Sequence, residues 1–115
     1  MPSAVRPTVT FDEALHTDWD VVVIGAGPAG SMAARGLARL GRRVLMIDRQ
    51  RFPRSKVCGC CVNQAALGLL EQPERELLET EGSPLRTYRL ASAGRVATVE
   101  LSGGMAVSRD LLDAR

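Results

Sequence analysis

Apolar positions fall into two rhythms along this chain. Residues 20–24, DVVVI, form a short β-branched run closed by Gly25, which predicts a buried strand. PAGSMAARGLARLG follows, with Ala33, Leu37 and Leu40 at spacings of four and three and Ala34 beside them. Arg35, Arg39 and Arg42 fall on the other side. That spacing predicts an amphipathic helix, and Gly41 is its natural stop. RVLMI at 43–47 predicts a second buried strand ending at Asp48. A helix joining two neighbouring apolar strands implies a parallel pair.

RQRFPRSKVCGCC then reads as a loop. VNQAALGLLEQ predicts a helix with Ala66, Leu69 and Leu70 on one side. PERELLETEGSP is polar, with room for a short helix closed by Gly82 and Pro84. From residue 85 the rhythm becomes an alternation punctuated at SAG and SGG. It predicts a hairpin over 85–91 and 95–101 and a short strand at 105–107. Ser108 stands where it would cap a helix beginning RDLLDAR, with Asp110 in the first turn. That helix has under two turns before Arg115, too few to be stable alone. The chain therefore reads as a piece of something longer. Residues 1–17 have weak periodicity and two prolines and are expected to be a flexible lead. Residues 18–115 are expected to be the N-terminal part of one domain.

A length of 115 residues suits a single small domain, since domains run from about 50 to 250 residues. Apolar residues make up 45% of the chain but only four residues are aromatic, so any core must be aliphatic. A net charge of +2 is too small to argue for nucleic acid. The basic residues are local, with Arg49, Arg51, Arg54 and Lys56 crowding one loop, which suits a small anionic ligand. No run approaches the roughly 18–20 apolar residues of a membrane span. The N-terminus lacks the apolar core of a secretory signal, so a cytoplasmic location is expected.

The edge between the first strand and helix carries the chemistry. Its pattern is Gly25-x-Gly27-x-x-Gly30, opening a helix and followed by a second strand ending in Asp48. Gly25 lets the strand turn sharply, Gly27 lets main chain approach a pyrophosphate, and Gly30 lets the helix lie close on the strands. The helix start aims N–H groups and a partial positive charge at the phosphates. A carboxylate at Asp48, 18 residues beyond Gly30, can accept from both hydroxyls of an adenosine ribose. A glycine-rich turn alone is common and weak as a signal. The strand, helix and acid around this one supply the context that points to a dinucleotide. Asp48 argues against a 2′-phosphate on that ribose, although the adjacent Arg49 tempers the point.

The segment GAGPAGSMAARGLARLGRRVLMIDRQRFPRSKVCG resembles the N-terminus of FAD-dependent oxidoreductases of the geranylgeranyl-reductase type. These belong to the glutathione-reductase-like flavoprotein group, with p-hydroxybenzoate hydroxylase-type monooxygenases and flavin halogenases as relatives. GPAG looks like an FAD turn, RFPRSKVCG is similar to the family's loop after the acid, and GGMAVSRDLLDA is similar to its strand-to-helix element. The resemblance covers about residues 20–114. It implies an α/β fold: a Rossmann-like FAD/NAD(P)-binding domain, made here of an N-terminal βαβ plus a β-hairpin and incomplete. It implies FAD as cofactor, with NAD(P)H as transient electron donor. Gly25, Gly27, Pro28, Ala29 and Gly30 would line the pyrophosphate. Asp48 would hold the ribose, with Arg49 near the adenine. Arg54 and Lys56 would lie near the phosphates or ribityl chain, Cys58 and Gly59 on the flavin or substrate side, and Arg109 would reach back toward the cofactor. The plainer reading makes Arg54 and Lys56 solvated loop charges. Arg109 at a helix start opposes the dipole unless an anion is near. The family pattern often has a second glycine after CG, where this chain has Cys60 and then Cys61.

Three cysteines close together are a poor disulfide framework. Cys58 and Cys61 make one metal-ligand pair, and the only histidine is His16 in the lead, so no metal site is expected. The Cys-x-x-x-x-Cys spacing of pyridine-nucleotide dithiol reductases fails. Cys58 and Cys61 have thioredoxin-like spacing without its context. Cys58 suits a packing or flavin-side role, and the local basic residues could make exposed Cys60 or Cys61 easy to oxidise. No residue is an evident general acid or base. The expected function is the FAD-binding segment of a flavin-dependent oxidoreductase with a small-molecule substrate. That enzyme would be a reductase of an unsaturated or isoprenoid-like substrate, or a monooxygenase or halogenase relative. Peripheral membrane contact is compatible with it, as is an oligomer or a missing C-terminal part, and the 115-residue piece alone is expected to be inactive. The alternatives are a stand-alone non-catalytic dinucleotide-binding module, with open sheet edges inviting strand exchange, and a dithiol–disulfide flavoprotein oxidoreductase.

Overall fold

A capping box starts the first helix, α1 (Phe11–His16), in a stretch whose weak periodicity predicts only a lead. The Glu13 N–H donates to Thr10 Oγ1 at 3.2 Å and the Thr10 N–H donates back to Glu13 Oε2 at 2.7 Å. Local hydrogen bonds, not an apolar stripe, build this turn and a half. Trp19 Nε1 donates to the Ala14 carbonyl at 2.9 Å and so ties α1 to the strand that follows. Val5 forms an antiparallel bridge with Phe52, its N–H 3.2 Å from the Phe52 carbonyl. The computed structural model describes residues 5–114. They divide into two units, one running to Ser55 and one spanning Lys56–Asp113.

The first unit holds β1 (Val21–Ile24), α2 (Pro28–Arg39) and β2 (Val44–Ile47). β1 and β2 pair in parallel, from Val21↔Val44 to Ile24↔Ile47, as the helix crossover predicts. The Gly25 N–H extends that ladder to the Ile47 carbonyl at 2.8 Å. Two expectations need correction. The helix is rotated from the predicted stripe: Ala34 is its buried residue, Ala33 is exposed, and Leu40, at the C-cap, is 77% exposed. Gly30 sets this rotation by lying against the Gly25 carbonyl, so the residue one turn on is Ala34. β1 is also not buried on both faces. Val21 and Val23 turn inward while Val22 is exposed and Ile24 is 84% exposed, because a helix covers only one side of the pair.

The second unit runs β3 (Cys61–Asn63), α3 (Gln64–Leu69), α4 (Gln72–Glu81), β4 (Ser83–Pro84), β5 (Thr87–Ser92), β6 (Arg95–Glu100), β7 (Gly104–Ala106) and α5 (Arg109–Leu112). β7 is the centre of a small antiparallel sheet, flanked by β3 and β4. β3 lies where the pattern predicts only a loop and the start of a helix, since a three-residue strand is specified by its partner. α3 is capped by Asn63, whose side chain accepts from the Ala66 N–H at 2.8 Å. Leu69, expected on the inner side of this helix, is exposed. α4 takes up the polar stretch as far as Glu81 and closes at Gly82, as expected, with ten residues where only a short helix was expected. Glu71 and Glu74 cap it reciprocally, and Leu77 and Leu78 supply the deepest burial in the unit together with Val107. The predicted hairpin is present as β5 and β6 in register Thr87↔Glu100 to Ser92↔Arg95. Its turn places Ala93 at φ 48° and Gly94 at φ 75°, the primed geometry that suits two-residue hairpins. Ser108 occupies the N-cap of α5, as expected, but its side chain makes no capping bond.

Candidate functional site

The turn between β1 and α2 is made by three glycines with three separate physical roles. Gly25 sits at φ 102°, in the region that L side chains rarely adopt. A Cβ on Gly30 would overlap the Gly25 carbonyl oxygen, so α2 can approach β1 only with hydrogen there. Gly27 is the N-cap of α2, at φ −79° and ψ 179°. That is ordinary extended backbone, open to any residue, so the conformation does not explain the glycine. What remains is access to the helix start. No side chain caps α2, no acidic residue stands in its first turn, and Pro28 occupies the first turn without an N–H to satisfy. The positive end of the helix is left for an external anion. A diphosphate fits these features.

Asp48 follows β2 directly, and its carboxylate spans the turn. Oδ2 accepts from the Ala26 N–H at 2.8 Å, and Oδ1 accepts from the Gln50 N–H at 2.9 Å. Arg54 Nη1 lies 3.1 Å from Oδ1 and 3.0 Å from Oδ2. The two side chains are only 9% and 10% exposed. A carboxylate offers about four lone-pair sites, and these contacts use them. A ribose diol would therefore have to take over from Arg54. The sequence pattern missed this second duty of Asp48, which is to hold the glycine turn to the end of β2. Arg54 also lies 4.6 Å from the centroid of the Phe52 ring, a cation–π distance. It is thus not a solvated loop charge. Arg49 and Lys56 are exposed.

The Ala26 and Gln50 N–H groups, with Arg54 adding its charge, hold the Asp48 carboxyl below the usual carboxylate range, against the opposing effect of burial. A depressed folded-state pKa contributes stability that is present above the unfolded value of about 3.9 and lost as pH falls through the folded value. The Ala26 amide signal, followed by NMR during acid titration, is expected to move with a midpoint below that range. A midpoint at or above it would show that the Asp48–Ala26 bond is not formed.

In the second unit, Cys58 and Gly59 are exposed. Arg109 stands at the start of α5 and binds Asp113 through two parallel bonds, Nε to Oδ1 at 2.7 Å and Nη2 to Oδ2 at 2.8 Å. The Cys60 main chain, and then Arg109, draw the Cys58 thiol below its ordinary range. The sequence pattern missed Asp113, although its four-residue spacing from Arg109 is the signal that would have found it. Asp113 supplies the negative charge that Arg109 at a helix start requires. No helix among the described residues is long and apolar enough to cross a membrane.

Comparison with known proteins places this geometry. A family described as FAD binding domain matches residues 18–102. The menaquinone reductase of Mycobacterium tuberculosis is 41% identical over 102 residues, covering 84% of this chain and 25% of that protein. The digeranylgeranylglycerophospholipid reductase of Picrophilus torridus is 36% identical over 105 residues, covering 86% of this chain and 26% of that protein. Among solved structures, a flavoprotein/dehydrogenase from Cytophaga hutchinsonii superposes with a TM-score of 0.67 at 23% identity, over 83% of this chain and 26% of that one. The chain spans about a quarter of the length of the curated relatives it matches. The fold is the Rossmann-like one that the sequence pattern predicts, the resemblance to the geranylgeranyl-reductase type holds, and the cofactor is FAD.

Proposed function

We propose, from the premise that this chain belongs to the FAD binding domain family, that it is the dinucleotide-holding segment of a flavin-dependent reductase of unsaturated isoprenoid lipids. The observation that carries the FAD part is the start of α2: uncapped, free of acid, and opened by a glycine turn that Asp48 holds in place. The substrate class rests on the two relatives, named as reductases of menaquinone and of digeranylgeranylglycerophospholipid. Both names denote lipids that carry polyprenyl chains.

FAD supplies hydride-transfer chemistry when bound, with NAD(P)H as the transient donor. This chain's own residues bind and orient. The main chain at Gly25, Gly27, Pro28, Ala29 and Gly30 receives the diphosphate, with N–H groups at the helix start donating to its oxygens. Asp48 accepts from the ribose, and Arg54, released from part of its pairing, turns its charge to the phosphates beside Lys56. Arg49 stands near the adenine. Cys58, Gly59 and Arg109 serve the flavin side. A cytoplasmic location, with peripheral contact to the lipid surface that holds the substrate, accords with these roles.

The test is a titration of the full chain with FAD and with FMN, followed by flavin fluorescence. FMN has no adenosine and no diphosphate, so it is expected to bind at least about a hundredfold more weakly, the equivalent of two lost hydrogen bonds to charged oxygens. Equal binding of the two flavins would remove the dinucleotide reading. NAD(P)H-dependent reduction of a polyprenyl quinone by a full-length flavoenzyme that carries this segment then tests the substrate class separately.

A further inference from the structure

We propose that Arg54 is an internal occupant of the adenosine position, an autoinhibitory contact that the cofactor exchanges with rather than simply joins. The inference rests on the dinucleotide reading above. It adds how that site is kept closed and what opens it: a ligand that carries phosphate as well as ribose.

The Asp48 carboxylate has partners of two kinds. The Ala26 and Gln50 N–H groups, at 2.8 and 2.9 Å, are main chain and are fixed by the course of the backbone. Arg54 is carried on a flexible side chain, and its Nη1 bridges both oxygens at 3.1 and 3.0 Å. It is therefore the group that a ribose diol displaces. Both side chains are almost entirely removed from water, so salt does little to loosen the pair. A second contact holds the arginine: its guanidinium carbon lies 4.6 Å from the centre of the Phe52 ring. The Phe52 carbonyl accepts in turn from the Val5 N–H at 3.2 Å, which ties the ring's residue to the segment before α1. All these groups lie in the first unit.

Two neutral hydroxyls do not replace a guanidinium on a carboxylate without loss, because a bond between two charges is the stronger. A nucleoside would also separate Arg54 from the Asp48 anion in a place with little water. A diphosphate removes that penalty. It gives the arginine another anion beside the start of α2, while the diol takes over the carboxylate oxygens. Each charge keeps a partner through the exchange. Before the exchange, the same pair keeps a buried carboxylate from standing alone at the glycine turn and so holds the site in shape. The contact is a latch that ribose alone opens poorly and ribose with phosphate opens well.

The experiment titrates adenosine and ADP into the full chain and into Arg54→Met, followed by isothermal calorimetry. Adenosine offers the diol without phosphate, and ADP offers both. Adenosine is expected to bind Arg54→Met about tenfold more tightly than the parent, since the competitor is gone. ADP is expected to bind Arg54→Met at least about tenfold more weakly than the parent, since its diphosphate loses a cation. The opposite signs are the mark of the exchange. An arginine that only binds phosphate would weaken ADP and leave adenosine unchanged. That result, with FAD still bound by the parent, would overturn the proposal and leave the dinucleotide reading in place. No binding of FAD, adenosine or ADP to either chain would remove that reading and the proposal with it. Because Arg54→Met also takes a donor from Asp48, NMR of the parent is the second measurement. On addition of ADP the Arg54 guanidinium signals are expected to shift, while the Ala26 amide stays protected from hydrogen exchange. Guanidinium signals unchanged at saturating ADP, or a loss of protection at Ala26, would each overturn the proposal.

Discussion

Replacing Gly30 with alanine is expected to destabilise the first unit strongly, not merely to weaken a ligand. The added Cβ would overlap the Gly25 carbonyl oxygen and sit 3.5 Å from Val23 Cγ1. The first of these neighbours is main chain, at a residue whose own N–H is already committed to Ile47. It cannot yield as the tip of a long side chain can. Either α2 lifts off β1 or the turn at Gly25 opens, and both surrender the burial of Ala34. Overpacking of this kind costs about 3 kcal/mol, a large share of the roughly 5–15 kcal/mol that holds a domain. Thermal unfolding followed by circular dichroism is expected to show a midpoint lower by more than about 10 °C. A midpoint within a degree or two of the parent would mean that the helix does not rest on Gly25 as described.

Valine at position 27 is expected to give the opposite pattern. Gly27 is in extended backbone, which valine readily adopts, and no side-chain capping bond is lost. Stability is expected to stay within about 1 kcal/mol of the parent, the range for an unfavourable N-cap. FAD affinity is expected to fall by about a hundredfold or more, because a branched side chain at the N-cap keeps the diphosphate from donors worth about 1.5–3 kcal/mol each. Isothermal titration with FAD beside a melting curve separates the two effects. A folded Gly27→Val variant that binds FAD as the parent does would place the diphosphate elsewhere. The contrast matters because both residues belong to one motif. Position 30 is a packing requirement of the fold, and position 27 is expected to be a requirement of the ligand.

The strand–glycine–helix–strand–acid order was legible because each part is written in neighbouring residues. Val21–Ile24 and Val44–Ile47 are continuous apolar runs, the glycines punctuate them, and Asp48 ends the second. The hairpin was legible for the same reason, through alternation around Ala93 and Gly94. α1 was not, because its start depends on reciprocal bonds between Thr10 and Glu13 rather than on an apolar period. β3 was not, because three residues become a strand only through pairing with Gly104–Ala106, more than forty positions away. The strength of α4 was understated because a sequence of mostly polar residues gives no sign that Leu77 and Leu78 find a core.

Sequence alone therefore determined the βαβ unit, the glycine turn and the class of molecule it accepts, since periodicity and backbone freedom are local properties. Tertiary structure decided which face of α2 is buried, that Asp48 is already engaged by Ala26, Gln50 and Arg54, and that Arg109 answers to Asp113. Those outcomes depend on distances between side chains and main-chain groups brought together by folding. Hydrogen bonds and ion pairs are decided by such distances, on the scale of tenths of an ångström, and spacing along a chain does not encode them.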